Sequence, residues 1–340
     1  MDMLGGRRMW GRSKGSEVEA VTIGDGDIKV DVISWGAVIR DVRLTGVDHP
    51  LVLGFDDLQS YEDHSPHFGA VAGRYANRIA AGRLQLDGRS IELDRNEDGR
   101  NHLHGGAAAF GSRAWQIVDA EPTSVRLRLV SPDGESGYPG TVTVECRYTV
   151  VPPGTLRVEL TGTTDATTIV NLAQHSYFNL DGTPSILDHR LRIAADHFTP
   201  VDDFDIPTGA VDEVEGTRFD FRTLREIGAS PTGRRPLDHN FVLAGQRRAE
   251  PALAATLEGS DGRVAMDVWT TEPGLQVYDG YKLSVPVPGL DGRRYQTYGG
   301  LAMEPQVWPN SPNEPDFPSA VLRPGETYRQ TTEFRFRVVG

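Results

Sequence analysis

The 340-residue chain has one cysteine, Cys146, and only three lysines, Lys14, Lys29 and Lys282, among 35 basic residues. A single thiol excludes an intramolecular disulfide and a multi-cysteine metal cage. The shortage of lysine beside abundant arginine points to no function by itself. Apolar runs extend for a few residues at most, far below the roughly 20 that span a bilayer as a helix. Cations are also in deficit, 35 against 48 acidic residues, for a formal net charge of −13. That balance argues against nucleic acid or an anionic membrane as partner of the surface as a whole. The N-terminal MDMLGGRRMWGRSKGSE has arginines with no apolar segment behind them, so a cytoplasmic protein is expected.

Sustained helical periodicity is missing too, which excludes a fold of alternating strands and helices. Only DDLQSYED (56–63) and TLREIG (223–228) suggest a helical turn or two. Turn formers are plentiful, with 38 glycines and 22 prolines, and period-two alternation dominates between them. TVTVECRYTV (141–150) puts Val142, Val144, Cys146, Tyr148 and Val150 on one face and Thr, Glu and Arg on the other. VRLRLV (125–130), LRVEL (156–160) and the closing EFRFRVV repeat the pattern, and LEGSDGRVAMDV (257–268) reads as a hairpin. Such alternation means half-buried antiparallel strands. The expected fold is all-β, a large antiparallel β-sandwich with few short helices. Residues 1–17 are expected to be a poorly ordered extension and 18–340 one domain, with 200–215 a long surface loop.

The common nucleotide, serine-hydrolase and zincin motifs are absent, which leaves the histidines and carboxylates. NHLHGG (101–106) carries His102 and His104. They suit a metal, a structural bond to loop backbone, or donation to a polar ligand approached closely across the glycines. NLAQHSYFNL (171–180) presents His175 beside Tyr177 and Phe178, and histidine titrates nearest neutrality. In LAMEPQVWPNSPNEPDFPS (301–319), Glu304 precedes Pro305, which is expected to end regular pairing, and Trp308 and Phe317 are candidates to floor a cleft. GRYANRIAAG (73–82) offers Asn77 and Arg78, LDHNFVL (237–243) offers Asp238, His239 and Asn240, and EPGLQVYDG (272–280) offers Gln276. These mix donors and acceptors as neutral hydroxyls require, whereas phosphate recognition calls for clustered cations. Read alone, each segment also suits a purely structural role.

In this order the segments, with SPDGESGYPG (131–140) and FTPVDDFDIPTG (198–209), resemble the aldose 1-epimerase (galactose mutarotase) family over roughly residues 20–338. The resemblance implies that family's large β-sandwich and its reaction, cofactor-free and metal-free interconversion of the α and β anomers of free aldoses. His175 falls on the general acid and Glu304 on the general base, while Asn77, Arg78, His104, Asp238 and Gln276 fall on sugar-contacting positions. Tyr177 lies within the same motif and is expected in the same pocket. Two departures are Glu-Pro-Gln at 304–306 where Glu-Thr-Gln is commoner, and Asp279-Gly280 where Thr-Gly is usual. On this reading His175 enters as imidazolium and protonates the ring oxygen while Glu304 takes the C1 hydroxyl proton. The partner is a free aldose, with no nucleic acid or membrane, and the protein a monomer or homodimer. Competing readings are a non-catalytic sugar-binding sandwich and an epimerase of a phosphorylated hexose.

Overall fold

The computed structural model describes residues 3–229 and 236–339. Strands dominate, and the described residues contain one α-helix, Leu58–His64, capped by the Asp57 side chain on the Ser60 amide. The alternating segments pair as their pattern requires. Val142–Val151 pairs antiparallel with Ser124–Ser131 on one side and Thr155–Thr164 on the other. They belong to a nine-stranded sheet that also contains Ala252–Glu258, Val264–Thr270 and Tyr328–Val338. Its inner face contributes Val144, Cys146, Leu160, Val268 and Phe334 to the main core. Burying side chains of this kind contributes roughly 1.5–3 kcal/mol each. The outer face carries cross-strand ion pairs such as Arg128–Glu145, Arg157–Glu333 and Arg190–Glu258. Several of the chain's arginines are used here, at roughly 0–1 kcal/mol per exposed pair.

Facing that core is a six-stranded sheet with Tyr177–Phe178, Leu301–Gln306, Gly274–Tyr278, Asp238–Val242, His197–Thr199 and Asp212–Glu213 in spatial order. Phe178, Leu301, Met303, Leu275, Val277 and Phe241 point into the main core. The alternate residues therefore project from the opposite face. Segment 200–215 leaves this sheet as a loop and returns to it as Asp212–Glu213, paired with His197–Phe198.

Three expectations are corrected. The N-terminal extension is structured: Arg7–Ser13 pairs with Ser16–Gly24 in a four-stranded sheet. Lys14 and Gly15, both at positive φ, make the two-residue hairpin turn that matches strand twist. Arg8 bonds Asp31, and Trp10 packs edge-on against Tyr61. Residues 225–226 of the TLREIG segment form a short edge strand against Arg190–Leu191, because so short a segment cannot offset helix nucleation. Finally, pairing continues through Pro305, which stands opposite Leu275. On its other side the strand is paired only at Leu301 and Ala302. The Pro305 carbonyl takes the Gln330 amide instead, so the missing N–H faces an unpaired edge.

Deleting residues 1–14 is expected to lower the urea midpoint of the whole protein. An unchanged midpoint would show that this strand contributes nothing.

Candidate active site

The polar face of the six-stranded sheet builds the site. Strand register places Gln276 directly between Glu304 and Asn240, and Tyr278 between Ala302 and Asp238. Tyr177 extends the second row from the neighbouring strand. Asp238, Gln276 and Glu304 thus converge because each occupies the outward parity of its strand. The Gln276 amide donates to Asp238 Oδ1 at 2.6 Å. Asp279 holds this strand pair together, accepting from the Leu237 and Tyr281 amides, so the Asp-Gly departure is a backbone brace. Trp308 lies over Gly274, close to where a Cβ would sit, and Phe317 packs edge-on against it.

His175 arrives from the bend between Ala173–Gln174 and Tyr177–Phe178. Its Nε2 is 3.4 Å from Glu304 Oε1, and both side chains are buried. Glu304 Oε2 and His175 Nδ1 are buried without a hydrogen-bond partner. Burial, reinforced by the nearby charge of Asp238, raises the Glu304 pKa well above the usual carboxyl range despite Arg78. Burial, with His67 alongside, lowers that of His175 to about 3. With so low a value the imidazole is neutral at neutral pH, and burial favours the protonated form of the neighbouring carboxyl: desolvation penalises either isolated charge, and a neutral pair avoids both. The expected imidazolium has to form against that burial.

His104 ends the strand His102–Leu103, which pairs with Arg78–Ile79. The Asn77 backbone N–H donates to His104 Nδ1 at 3.1 Å, so the proton of this neutral ring is on Nε2. His104, His175 and Glu304 offer ligand atoms within 4.8 Å of one another. A protonated Nε2 has no lone pair for a cation, whereas it suits donation to a hydroxyl. The Asn77 Oδ1 accepts from the Arg78 amide within its own loop. Gly105 lets this loop close, because a Cβ there would lie 1.8 Å from the Gly73 carbonyl oxygen. His102 is structural: its Nδ1 bonds Asp94 and its Nε2 bonds the Tyr138 hydroxyl.

Arg78 is gripped by Glu97, with Nε 3.0 Å from both carboxylate oxygens and a second nitrogen 2.8 Å from Oε1. Asp205 and Asp238 lie 3.3 and 3.9 Å from the same guanidinium. Tyr177 stacks on His175 at 5.1 Å and gives its hydroxyl to the Pro66 carbonyl, so that hydroxyl is not turned toward a ligand.

The family model for aldose 1-epimerase matches residues 19–335. Mouse galactose mutarotase is 41% identical over 335 residues, covering 96% of both chains. The chain belongs to the aldose 1-epimerase family. The aldose 1-epimerase of Escherichia coli is 35% identical over 319 residues, covering 90% of this chain and 91% of its own. A solved aldose epimerase homologue from C. elegans superposes with a TM-score of 0.88 at 29% identity, over 94% of this chain and 99% of that one. Within this aldose epimerase scaffold, sequence reasoning missed Glu97, Asp205 and His67. Glu97 and Asp205 sit in acidic loops where no carboxylate stands out. His67 lies in the loop after the helix, 4.6 Å from the His104 ring, and only the packing singles it out.

Two outcomes are expected. Because folded Glu304 keeps its proton at pH values where the unfolded side chain has lost it, stability falls as pH rises through that window. Glu304→Gln removes this loss. Its melting midpoint should exceed the wild type's at about pH 8 and converge with it below about pH 4; equal midpoints at the higher pH would refute the raised carboxyl. Glu97→Gln, which loosens Arg78, should weaken sugar binding by roughly three- to thirtyfold, the worth of about 1–2 kcal/mol at a charge-assisted bond, as titration calorimetry would register.

Proposed function

We propose that the chain interconverts the α and β anomers of free aldohexoses and aldopentoses, with Glu304 and His175 as the reacting pair. The observation that carries this reading is a buried carboxyl and imidazole 3.4 Å apart. The family's own activity supports it. A C1 hydroxyl donating to Glu304, with Arg78 beside it, favours the carboxylate, and the proton passes to His175. The carboxylate then removes the C1 hydroxyl proton while the imidazolium protonates ring O5, and the C1–O5 bond breaks to give the open aldehyde. Rotation about C1–C2 presents the other carbonyl face. Closure reverses both transfers, so the pair ends as it began. Each positioned acid or base contributes about 10²–10⁴ in rate, and the cycle calls on no cofactor.

Arg78, His104, Asp238 and Gln276 hold the ring hydroxyls so that only C1 reorients. Asn77 is a further sugar-contacting residue in that loop, and Tyr177 acts through the ring of His175. Residues 18–340 form the catalytic domain, completed by the N-terminal strand. A non-catalytic sugar binder would have no use for a dry acid–base pair. A phosphorylated hexose is disfavoured because Arg78 and Lys282 already face carboxylates. No helix among the described residues is long and apolar enough to cross a membrane, and the free sugar is taken from the cytoplasm.

Polarimetry of freshly dissolved α-D-glucose and α-D-galactose should show equilibration faster than in buffer, with kcat lowered by about 10²–10⁴ in His175→Asn and in Glu304→Gln. No acceleration on a panel of aldoses would overturn the assignment. Because the His175 ring gains its own proton only near the lowered value of about 3, kcat/KM should not fall on acidification from about pH 6.5 to about pH 4. A loss of activity on acidification through the ordinary imidazole value of about 6.5 would contradict the buried neutral imidazole.

A further inference from the structure

An imidazole that must hand a proton to a defined atom is usually oriented by a hydrogen bond at its other nitrogen. His175 lacks one, since its Nδ1 is buried with no partner. What holds the ring is instead aromatic. His67 stacks on it at 5.5 Å and 29°, and Tyr177 stacks on it at 5.1 Å and 27°. The His104 ring lies edge-on to His175 at 5.2 Å. The outer rings are tied together, because the Tyr177 hydroxyl donates to the carbonyl of Pro66, the residue before His67.

The backbone adds a second tie. The Gly69 amide donates to the His175 carbonyl at 3.0 Å, the His175 amide donates to Ala70 at 2.8 Å, and the Gln174 side chain donates to Gly69. His67 itself is held at φ 69, a left-handed conformation that is unfavourable for a non-glycine residue. The turn that sets it is closed by the Ala70 amide on the His67 carbonyl. His67 also lines a cavity of about 340 Å³ together with Lys14, Glu62 and Ser65. It thus touches both that space and the buried imidazole.

We infer that His67 is a positioning residue for the proposed reaction: with Tyr177 it sandwiches the His175 ring, fixing its plane by stacking and keeping water from its unpartnered nitrogen. This rests on the reading of His175 as the general acid. Burial lowers the His67 pKa to about 4, so at neutral pH it is uncharged and does not oppose the imidazolium that forms beside it. The titratable groups facing the His175 ring are His67, His104, Tyr177 and Glu304, one from each segment packed around it.

The test compares His67→Ala with His67→Phe, which restores a flat ring without the nitrogens. The alanine variant should lose about ten- to a hundredfold in kcat, the scale of a misplaced catalytic group, with KM changed less than about twofold, and the phenylalanine variant should recover most of the loss. Nitrogen NMR of the His175 ring gives a readout independent of turnover. One tautomer titrating below the usual imidazole range is expected in the wild type and in His67→Phe. A mixture of tautomers titrating closer to the ordinary value is expected in His67→Ala, where water enters. Unchanged kcat in His67→Ala with an unchanged His175 spectrum would overturn the inference. So would a phenylalanine variant as impaired as alanine with KM raised, since His67 would then bind the sugar directly. Absent mutarotation in the wild type refutes the proposed function alone, and the spectra still decide the sandwich.

Discussion

A carboxylic acid and an imidazole buried side by side can hold one proton cheaply and none or two only at a cost. In water at neutral pH Glu304 would be ionised and His175 mostly neutral, close to its titration midpoint. In the low-dielectric site each ion is penalised, so burial favours a neutral pair with the proton on the carboxyl. The two microstates differ by movement of one proton across 3.4 Å. A hydroxylated ligand that donates to the carboxylate tips the balance without importing charge, which is what a neutral hemiacetal needs. The surrounding packing exists to keep this pair dry and close together.

The rest of the site trades donors against acceptors. Arg78 would overwhelm a neutral ligand site as a free cation, but Glu97 takes two sides of its guanidinium, and Asp205 and Asp238 face what remains. His104 is committed as a donor because a backbone amide occupies its Nδ1. Gln276 is committed by Asp238. Preorganisation of this kind lowers the ordering cost of binding a small polyol.

Legibility varied with the range of the interaction. Strands such as Val142–Val151 and Tyr328–Val338 were readable because one buried face imposes a period of two on the residues themselves. The hairpin at Lys14–Gly15 was not, since a short arginine-rich strand gains its stability from Asp31 and Tyr61, which are distant in sequence. Pro305 looked like a strand end because its tolerance depends on which side of the strand has a neighbour. His175, Glu304, Asn77, Arg78, His104, Tyr177, Asp238 and Gln276 were singled out through ordered motifs. Their spacing alone also suits structural roles, and the Tyr177 hydroxyl and the Asn77 Oδ1 indeed bond the backbone.

By itself the sequence determined the strands, the turns between them, the acidic surface and the family, because alternation, glycine and proline placement and motif order are local properties of the chain. Only the tertiary structure decided the opposite shifts of the Glu304 and His175 titrations, the tautomer of His104, the clamp on Arg78 and the rings stacked on His175. Those depend on burial and on distances between segments far apart in the chain, and desolvation has no counterpart in residue order.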